Sequence, residues 1–138
     1  LGRFFDPLRP EYGTPHSAST AVYTEGLAYA LDLARELQDE PRISRYATAI
    51  ALGLQNLRNL QFDDINSYYL QRPERARGGI RTRVYDNRLR IDNTQHAIDA
   101  VRAVQRLGLT EYLDRALAHW SRNRMPNSKS DAGTLLRG

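Results

Sequence analysis

Two stretches of helical periodicity, each interrupted once by a short break, most constrain what this chain can fold into. In both stretches apolar residues recur every three or four positions, which places them on one face of a helix. The first break is Asp39-Glu40-Pro41 and the second is Gly108; proline is favoured at helix starts and glycine just after helix ends. The pattern therefore predicts two helical hairpins, with helices at about 17–38, 42–61, 93–107 and 110–124.

The first predicted helix is apolar around most of its circumference. Between Leu27 and Ala34 only Asp32 interrupts the apolar run. A helix that is hydrophobic on nearly all sides is usually enclosed on nearly all sides. We therefore expect it to be surrounded by more neighbours than a closed four-helix bundle supplies. At the helix starts, Ser17 or Ser19 is predicted to cap the first helix and Asp92 or Asn93 the third.

The connection over residues 62–91 is long, rich in arginine, and expected to be ordered. Residues 80–85 alternate between apolar and polar side chains as a strand does, with Gly78-Gly79 before them and Asp86-Asn87 as the predicted hairpin turn. A connection of this length is usually functional or disordered, and its tyrosines and alternating apolar positions favour order. Between positions 72 and 90 it has two acids, Glu74 and Asp86, and seven arginines: Arg72, Arg75, Arg77, Arg81, Arg83, Arg88 and Arg90.

Composition excludes several classes of protein. The chain of 138 residues has no cysteine, so disulfides, thiolate nucleophiles and cysteine metal sites are ruled out. No stretch reaches the roughly 18 apolar residues of a membrane span, and no targeting segment is visible, so we expect a soluble protein of undetermined compartment.

Because the chain starts with Leu1, the natural N-terminus is expected to lie outside it. One unit is predicted over 1–125, followed by a flexible tail over 126–138.

Two segments resemble a known family. Residues 19–61, STAVYTEGLAYALDLARELQDEPRISRYATAIALGLQNLRNLQ, are similar to the repeating hairpin of the six-hairpin glycosidase-like α/α-toroids, and residues 77–99, RGGIRTRVYDNRLRIDNTQHAID, resemble their loop-to-inner-helix joints. That group includes glycoside hydrolases, sugar epimerases and polysaccharide lyases. The resemblance implies an all-α fold: two hairpins of an incomplete toroid, joined by a long ordered loop with a short β-hairpin. It also implies a sugar-binding cleft at the starts of the inner helices, and missing hairpins of a parent chain as partners.

Three residues near the two inner-helix starts are candidates for acid–base chemistry. Glu25 lies on an otherwise apolar helix, where burial would raise its pKa and suit a general acid. Asp92 and His96 are four residues apart, so the carboxylate can share a face with the imidazole and orient it. The structural alternatives are that Glu25 pairs with an arginine, that Asp92 only caps, and that His96 only packs. Glycoside hydrolysis requires two carboxylates, for which Glu25 and Asp92 are the predicted pair.

Ligand contacts are predicted at the helix starts and in the arginine-rich loop. Arg81 and Arg83 can grip carboxylates or sulfates in a forked geometry, and Tyr85 can stack on a sugar. The alternative is a solvated loop in a protein that uses arginine in place of lysine. No metal-site spacing is present, and neither a metal nor another cofactor is expected. The full set of predicted contacts is His16, Tyr23, Tyr69, Arg81, Arg83, Tyr85, Asn93 and Gln95.

Two functions from different classes remain open. The first is a fragment of a carbohydrate-active enzyme acting on an oligosaccharide or polysaccharide, with an acidic (uronic) glycan suggested by the arginines. The second is a non-catalytic helical protein-interaction module with an arginine-rich docking loop. Exposed apolar faces would favour the first, and a closed four-helix core the second. A membrane partner is not expected, and nucleic acid is disfavoured because no helix carries a basic face.

Overall fold

The computed structural model describes residues 2–4, 6, 8–9, 11 and 13–124, and this part of the chain is predominantly helical, as predicted. The predicted flexible tail over 126–138 lies outside the described residues. None of the described helices combines the length and apolarity that crossing a bilayer requires. In chain order the elements are α1 (Ser17–Glu36), α2 (Glu40–Leu60), α3 (Pro73–Ala76), β1 (Arg81–Arg83), β2 (Asp86–Leu89), α4 (Ile91–Arg106) and α5 (Thr110–Arg124).

The two long hairpins lie side by side. Helix α1 packs against both α2 and α4, and α5 packs against α2. At the ends of α1 and α4, Arg35 Nη1 donates a hydrogen bond to the Leu107 carbonyl oxygen at 2.9 Å. At the beginnings of the same helices, His16 lies close enough to Asp92 for the two to interact electrostatically. Helices α1 and α4 therefore run parallel, and both begin at one end of the molecule.

The core lies between these helices and is closed by the two short turns. Leu31 of α1, Ile50 of α2 and Leu109 of the second turn are completely buried. Gly108 ends α4 with a φ of 64°, a left-handed conformation that glycine adopts without steric strain. The second hairpin thus closes on the core at the break that the sequence predicts.

The described residues do not enclose helix α1 on nearly all sides, so the predicted enclosure is not found within this part of the chain. Val22, Tyr29 and Leu33 share one face of the helix and are 44%, 44% and 56% exposed. Helices α2 and α4 pack on the opposite face, and on this face the Arg106 guanidinium lies over the Tyr29 ring, 5.7 Å from its centre. On α4, Ile98 and Val101 are likewise 45% and 43% exposed. The two hairpins therefore leave apolar helix faces uncovered.

An apolar groove of about 470 Å³ runs between α2 and α4. These two helices make few contacts with each other because α1 lies between them. Leu54 and Leu57 line one wall, and Ala97, Ile98 and Val101 line the other. The described chain is thus not a closed four-helix core.

The helix caps differ from those predicted. His16 caps α1: its Nδ1 accepts a hydrogen bond from the Ser19 backbone N–H at 3.3 Å, and Ser19 Oγ accepts one from the His16 N–H at 3.3 Å. The N-cap of α4 is Arg90, with no side-chain cap, so the prediction of Asp92 or Asn93 is wrong. The helix already begins at Ile91, so Asp92 and Asn93 lie inside its first turn, where the Asp92 carboxylate binds the Arg90 guanidinium at 2.8 and 2.9 Å.

The long loop is ordered around the hairpin of β1 and β2. Its turn is at Val84-Tyr85 rather than at the predicted Asp86-Asn87, since Asp86 pairs with Arg83 across the strands. Asp86 is held in the strand because its carboxylate accepts hydrogen bonds from the Arg88 backbone N–H at 3.2 Å and from the Arg88 guanidinium. Val84, predicted on the strand face with Ile80, is therefore 65% exposed.

Asn93 fixes the hairpin to α4. This side chain is only 1% exposed. Its Nδ2 donates to the Ile80 carbonyl oxygen at 3.3 Å and to Thr82 Oγ1 at 3.1 Å, and Thr82 Oγ1 donates to the Arg88 carbonyl oxygen at 3.0 Å. A buried amide bound to two points of β1 sets the position of the hairpin beside the starts of α1 and α4.

Candidate functional site

A polar cleft of about 330 Å³ lies where the start of α1, the last turns of α2 and the β-hairpin meet. It is formed by parts of the chain that are far apart in sequence. The lining residues are Arg3, Pro15, His16, Asn56, Asn59, Leu60, Thr82, Arg83, Val84 and Tyr85. The predicted contacts His16, Arg83 and Tyr85 are thus brought together.

Two polar groups in this cleft have no partner among the described residues. Arg83 Nε is buried without a hydrogen-bond acceptor, and Asn56 Oδ1 is buried without a donor. Buried polar groups are nearly always hydrogen-bonded, so each unpaired one calls for an explanation. Three other buried atoms, Ser17 Oγ, Arg81 Nε and Asn93 Oδ1, also have no partner within the described part of the chain. Both cleft atoms are shielded from solvent, so a ligand with a carboxylate and hydroxyl groups would reach them only after these side chains shift.

His16 contributes a neutral ring to the cleft. Burial lowers the pKa of His16 below 6.5, and the nearby Arg83 and Arg90 guanidinium groups lower this pKa further, while Asp92 acts in the opposite direction. Nδ1 accepts the capping hydrogen bond, so in the neutral ring the proton is carried by Nε2. His16 is therefore a hydrogen-bond donor rather than a cation near neutral pH. The fixed positive charges that line the cleft belong to Arg3 and Arg83.

Most other arginines of the loop are already neutralised or bound. Three form ion pairs with neighbouring acids: Arg77 with Asp64, Arg88 with Asp86, and Arg90 with Asp92. The Arg83 side chain, by contrast, forms no ion pair or hydrogen bond with any described residue. The pKa of Asp86 is lowered mainly by the Arg88 hydrogen bond, and the charge of Arg83 helps to lower it. The arginine-rich loop therefore exposes less free positive charge than its composition suggests.

Arg81 is used by the fold. Its guanidinium donates to the Asn59 carbonyl oxygen at 3.3 Å and to the Tyr69 hydroxyl at 3.4 Å, and it lies 5.2 Å from the centre of the Phe62 ring. Tyr69 also donates to Asn87 Oδ1 at 3.2 Å. Arg81 and Tyr69 thus form a contact with each other outside the cleft lining, and Arg83 is the loop arginine best placed to bind a ligand.

A second polar cluster joins α1 to α4. One ligand atom each from Glu25, His96 and Asp99 lie within 4.8 Å of one another, and all three residues are half-buried. Glu25 and His96 were predicted as acid–base residues, whereas Asp99 was not. The sequence could have indicated Asp99, because it lies three residues after His96 and therefore on the same face of the helix. Their meeting with Glu25, 71 residues before His96, depends on packing alone.

Asp92 belongs to neither group of functional side chains. Its carboxylate binds Arg90 rather than orienting His96. The hydrogen bond from the Arg90 guanidinium lowers the pKa of Asp92. Asp92 is therefore a stable anion, which does not suit a general acid, and the predicted pair of Glu25 with Asp92 has no support in this geometry.

The remaining predicted contacts lie elsewhere. Tyr23 is 47% exposed and packs near Phe4, with ring centres 6.2 Å apart. Gln95 is exposed on a separate groove beside α4, and Asn93 anchors the hairpin. The cleft residues that sequence reasoning missed are Arg3, Asn56, Asn59 and Thr82. Asn56 and Asn59 gave no signal of this role, since both lie away from the apolar stripe of α2 on its polar face.

No known protein family, no curated protein and no solved structure matches this chain. The features of this chain that bear on function are the two polar clusters and the uncovered apolar faces.

Proposed function

We propose that this chain is part of a carbohydrate-active enzyme of the α/α-toroid type, and that an acidic glycan binds in the polar cleft. The observation that carries the proposal is the free Arg83 guanidinium, whose buried Nε has no partner, beside the unpaired Asn56 Oδ1. Arginine binds carboxylates in a planar, two-pronged geometry. The cleft also offers Tyr85, which is 79% exposed and can stack on a sugar ring.

The uncovered apolar faces support the proposal that further hairpins of a parent chain pack against this one. Val22, Tyr29 and Leu33 on α1 and Val101 on α4 are each more than 40% exposed. Monomeric proteins seldom leave large contiguous apolar surfaces uncovered. A toroid adds helical hairpins next to existing ones, and such neighbours would bury these faces. A self-contained interaction module would be expected to have a closed core instead.

The chemistry that we propose is proton transfer by Glu25 and His96. One oxygen of Glu25 and one ring nitrogen of His96 lie within 4.8 Å of each other between α1 and α4. Histidine and carboxylate side chains are the commonest groups for general acid–base catalysis. Asp92, bound to Arg90, would act only through its negative charge.

Binding of matched oligosaccharides tests the proposal. Calorimetric titration of the purified protein with uronic and neutral oligosaccharides of equal length should show preferential binding of the uronic ones. Arg83→Ala should weaken uronic-oligosaccharide binding roughly 10- to 100-fold, because a hydrogen bond to a charged group contributes about 1.5–3 kcal/mol.

Arg72→Ala is the matched control, since it removes an exposed arginine of the same loop that does not line the cleft. It should leave affinity within about twofold of the parent. Equal affinity for neutral and uronic chains, or equal losses in the two variants, would contradict the proposed acidic ligand. A folded protein that binds no glycan would favour the interaction module instead.

A further inference from the structure

The cluster of Glu25, His96 and Asp99 has the composition of a metal site. Its donors are one imidazole nitrogen and two carboxylate oxygens, all within 4.8 Å of one another. The three side chains come from two helices, α1 and α4, which pack firmly against each other along their length. A ligand set held by packed helices changes its geometry less than one carried by a loop.

The charges of this cluster are not compensated by protein cations. Among the described residues, neither Glu25 nor Asp99 forms an ion pair with an arginine, and neither forms one with His96 within 4.0 Å. One divalent cation could bind an oxygen of each carboxylate and a ring nitrogen of His96, since these three atoms lie within 4.8 Å of one another.

The distances fit a small transition-metal ion after a modest adjustment. Ligands about 2.1 Å from a tetrahedral ion lie about 3.4 Å from each other. The atoms here are at most 4.8 Å apart, so side-chain rotations that bring them up to about 1.4 Å closer would complete the set. Because each residue is half-buried, an ion can reach the cluster from solvent.

We infer that Glu25, His96 and Asp99 bind one divalent transition-metal ion, with Zn²⁺ preferred. An imidazole ligand disfavours Mg²⁺ and Ca²⁺, which take oxygen ligands, whereas Zn²⁺ accepts both imidazole and carboxylate. Three protein ligands leave at least one coordination position for a water molecule or a ligand oxygen. If the ion is bound, a metal-bound water would exchange the proton, and Glu25 and His96 would hold the ion, so this role and the proton transfer proposed above for these two residues are alternatives.

Titration with Zn²⁺ and Co²⁺ tests this inference without any glycan. The protein, freed of metal by a chelator, should bind one Zn²⁺ by calorimetry, and Co²⁺ should show the visible absorption of a low-symmetry site. His96→Ala and Asp99→Asn should each weaken Zn²⁺ affinity by more than about 100-fold. This loss exceeds the roughly 10- to 100-fold loss that follows when a residue that only hydrogen-bonds to a metal ligand is mutated.

Two control variants separate this site from adventitious binding. His119→Ala removes an exposed histidine of α5, and Glu36→Gln removes an exposed carboxylate of α1. Both variants should bind Zn²⁺ with the affinity of the unmutated protein. The inference is overturned if the folded parent does not bind Zn²⁺ with one-to-one stoichiometry, or if Asp99→Asn binds as the parent does. Loss of glycan binding in Arg83→Ala with intact Zn²⁺ binding would show that the two sites are separate.

Discussion

At the scale of single residues, His16 links the cleft to the stability of α1. Its Nδ1 accepts the capping hydrogen bond from Ser19, and this nitrogen can accept only when it carries no proton. Arg83 and Arg90, which line or approach the cleft, disfavour the protonated ring. The group that caps the helix therefore responds to the same charges that would attract an anionic ligand.

We predict that acid weakens the fold through His16. Because the pKa of His16 is lowered below 6.5 in the folded state, the unfolded chain binds more protons just below that pH. The free energy of unfolding should be constant above about pH 6.5 and should decrease as the pH falls from there through the folded-state pKa. Urea denaturation between about pH 7.5 and 5.5 measures this, in a range above most carboxylate titration.

His16→Asn is the control, because asparagine caps helices well and does not titrate. This variant should lose the decrease in unfolding free energy over that range. A pKa of His16 at or above 6.5 in an NMR titration of the unmutated protein would contradict the prediction. In Arg83→Ala, the pKa of His16 should move up towards its ordinary value.

At the scale of elements, the close approach of α1 and α2 depends on Gly53. A Cβ added at Gly53 would collide with Thr24 Oγ1 and would lie 2.9 Å from Phe4 Cε2. Gly26 of α1, in contrast, has no atom within 4 Å of the added Cβ. The two glycines therefore have different roles although both lie inside helices.

We predict opposite effects for alanine at these two positions. Gly53→Ala should destabilise the protein by up to about 2 kcal/mol, because the packing clash outweighs the gain of about 1 kcal/mol in helix propensity. Gly26→Ala should stabilise it by about 0.5–1 kcal/mol. Urea denaturation of both variants gives the comparison. Equal gains at the two positions would show that α1 and α2 are not in close contact at Gly53.

At the scale of the whole molecule, the buried core and the uncovered faces are separate sets of apolar residues. Leu31 of α1 is completely buried against α2, whereas Leu33 of the same helix is 56% exposed. The side chains have the same chemistry and differ only in whether another helix covers them. Apolar character alone thus does not identify the core of this chain.

We predict that the two leucines differ sharply on truncation. Leu31→Ala should lower the free energy of unfolding by about 2–5 kcal/mol, because it leaves a cavity in the core. Leu33→Ala should change it by about 0.5 kcal/mol or less. Both are read from urea denaturation of the purified chain. Similar losses would contradict the arrangement of hairpins described above.

Much of the helical architecture was accessible from sequence. The periodic stripes and the breaks at Pro41 and Gly108 predicted α1, α2, α4 and α5 to within about two residues at each end. These features depend on backbone hydrogen bonds between residues four apart and on caps a few residues long, so nearby residues carry the information. The strand at 81–83 could also be predicted from nearby residues, because apolar and polar side chains alternate along 80–85.

The sites were decided by tertiary structure, whereas the caps and the turn depend on contacts between residues two or three apart that the periodicity does not show. Arg90 binds Asp92, and Arg83 pairs with Asp86, which places the hairpin turn at Val84-Tyr85. Which arginine stays free depends on whether an acid lies within reach of it, and Asp99 joins Glu25 only because α4 packs on α1. Local sequence by itself therefore determined the helices of this protein. Contacts between residues far apart in the chain decided which apolar faces stay uncovered and which polar groups meet, because those depend on the positions of whole helices.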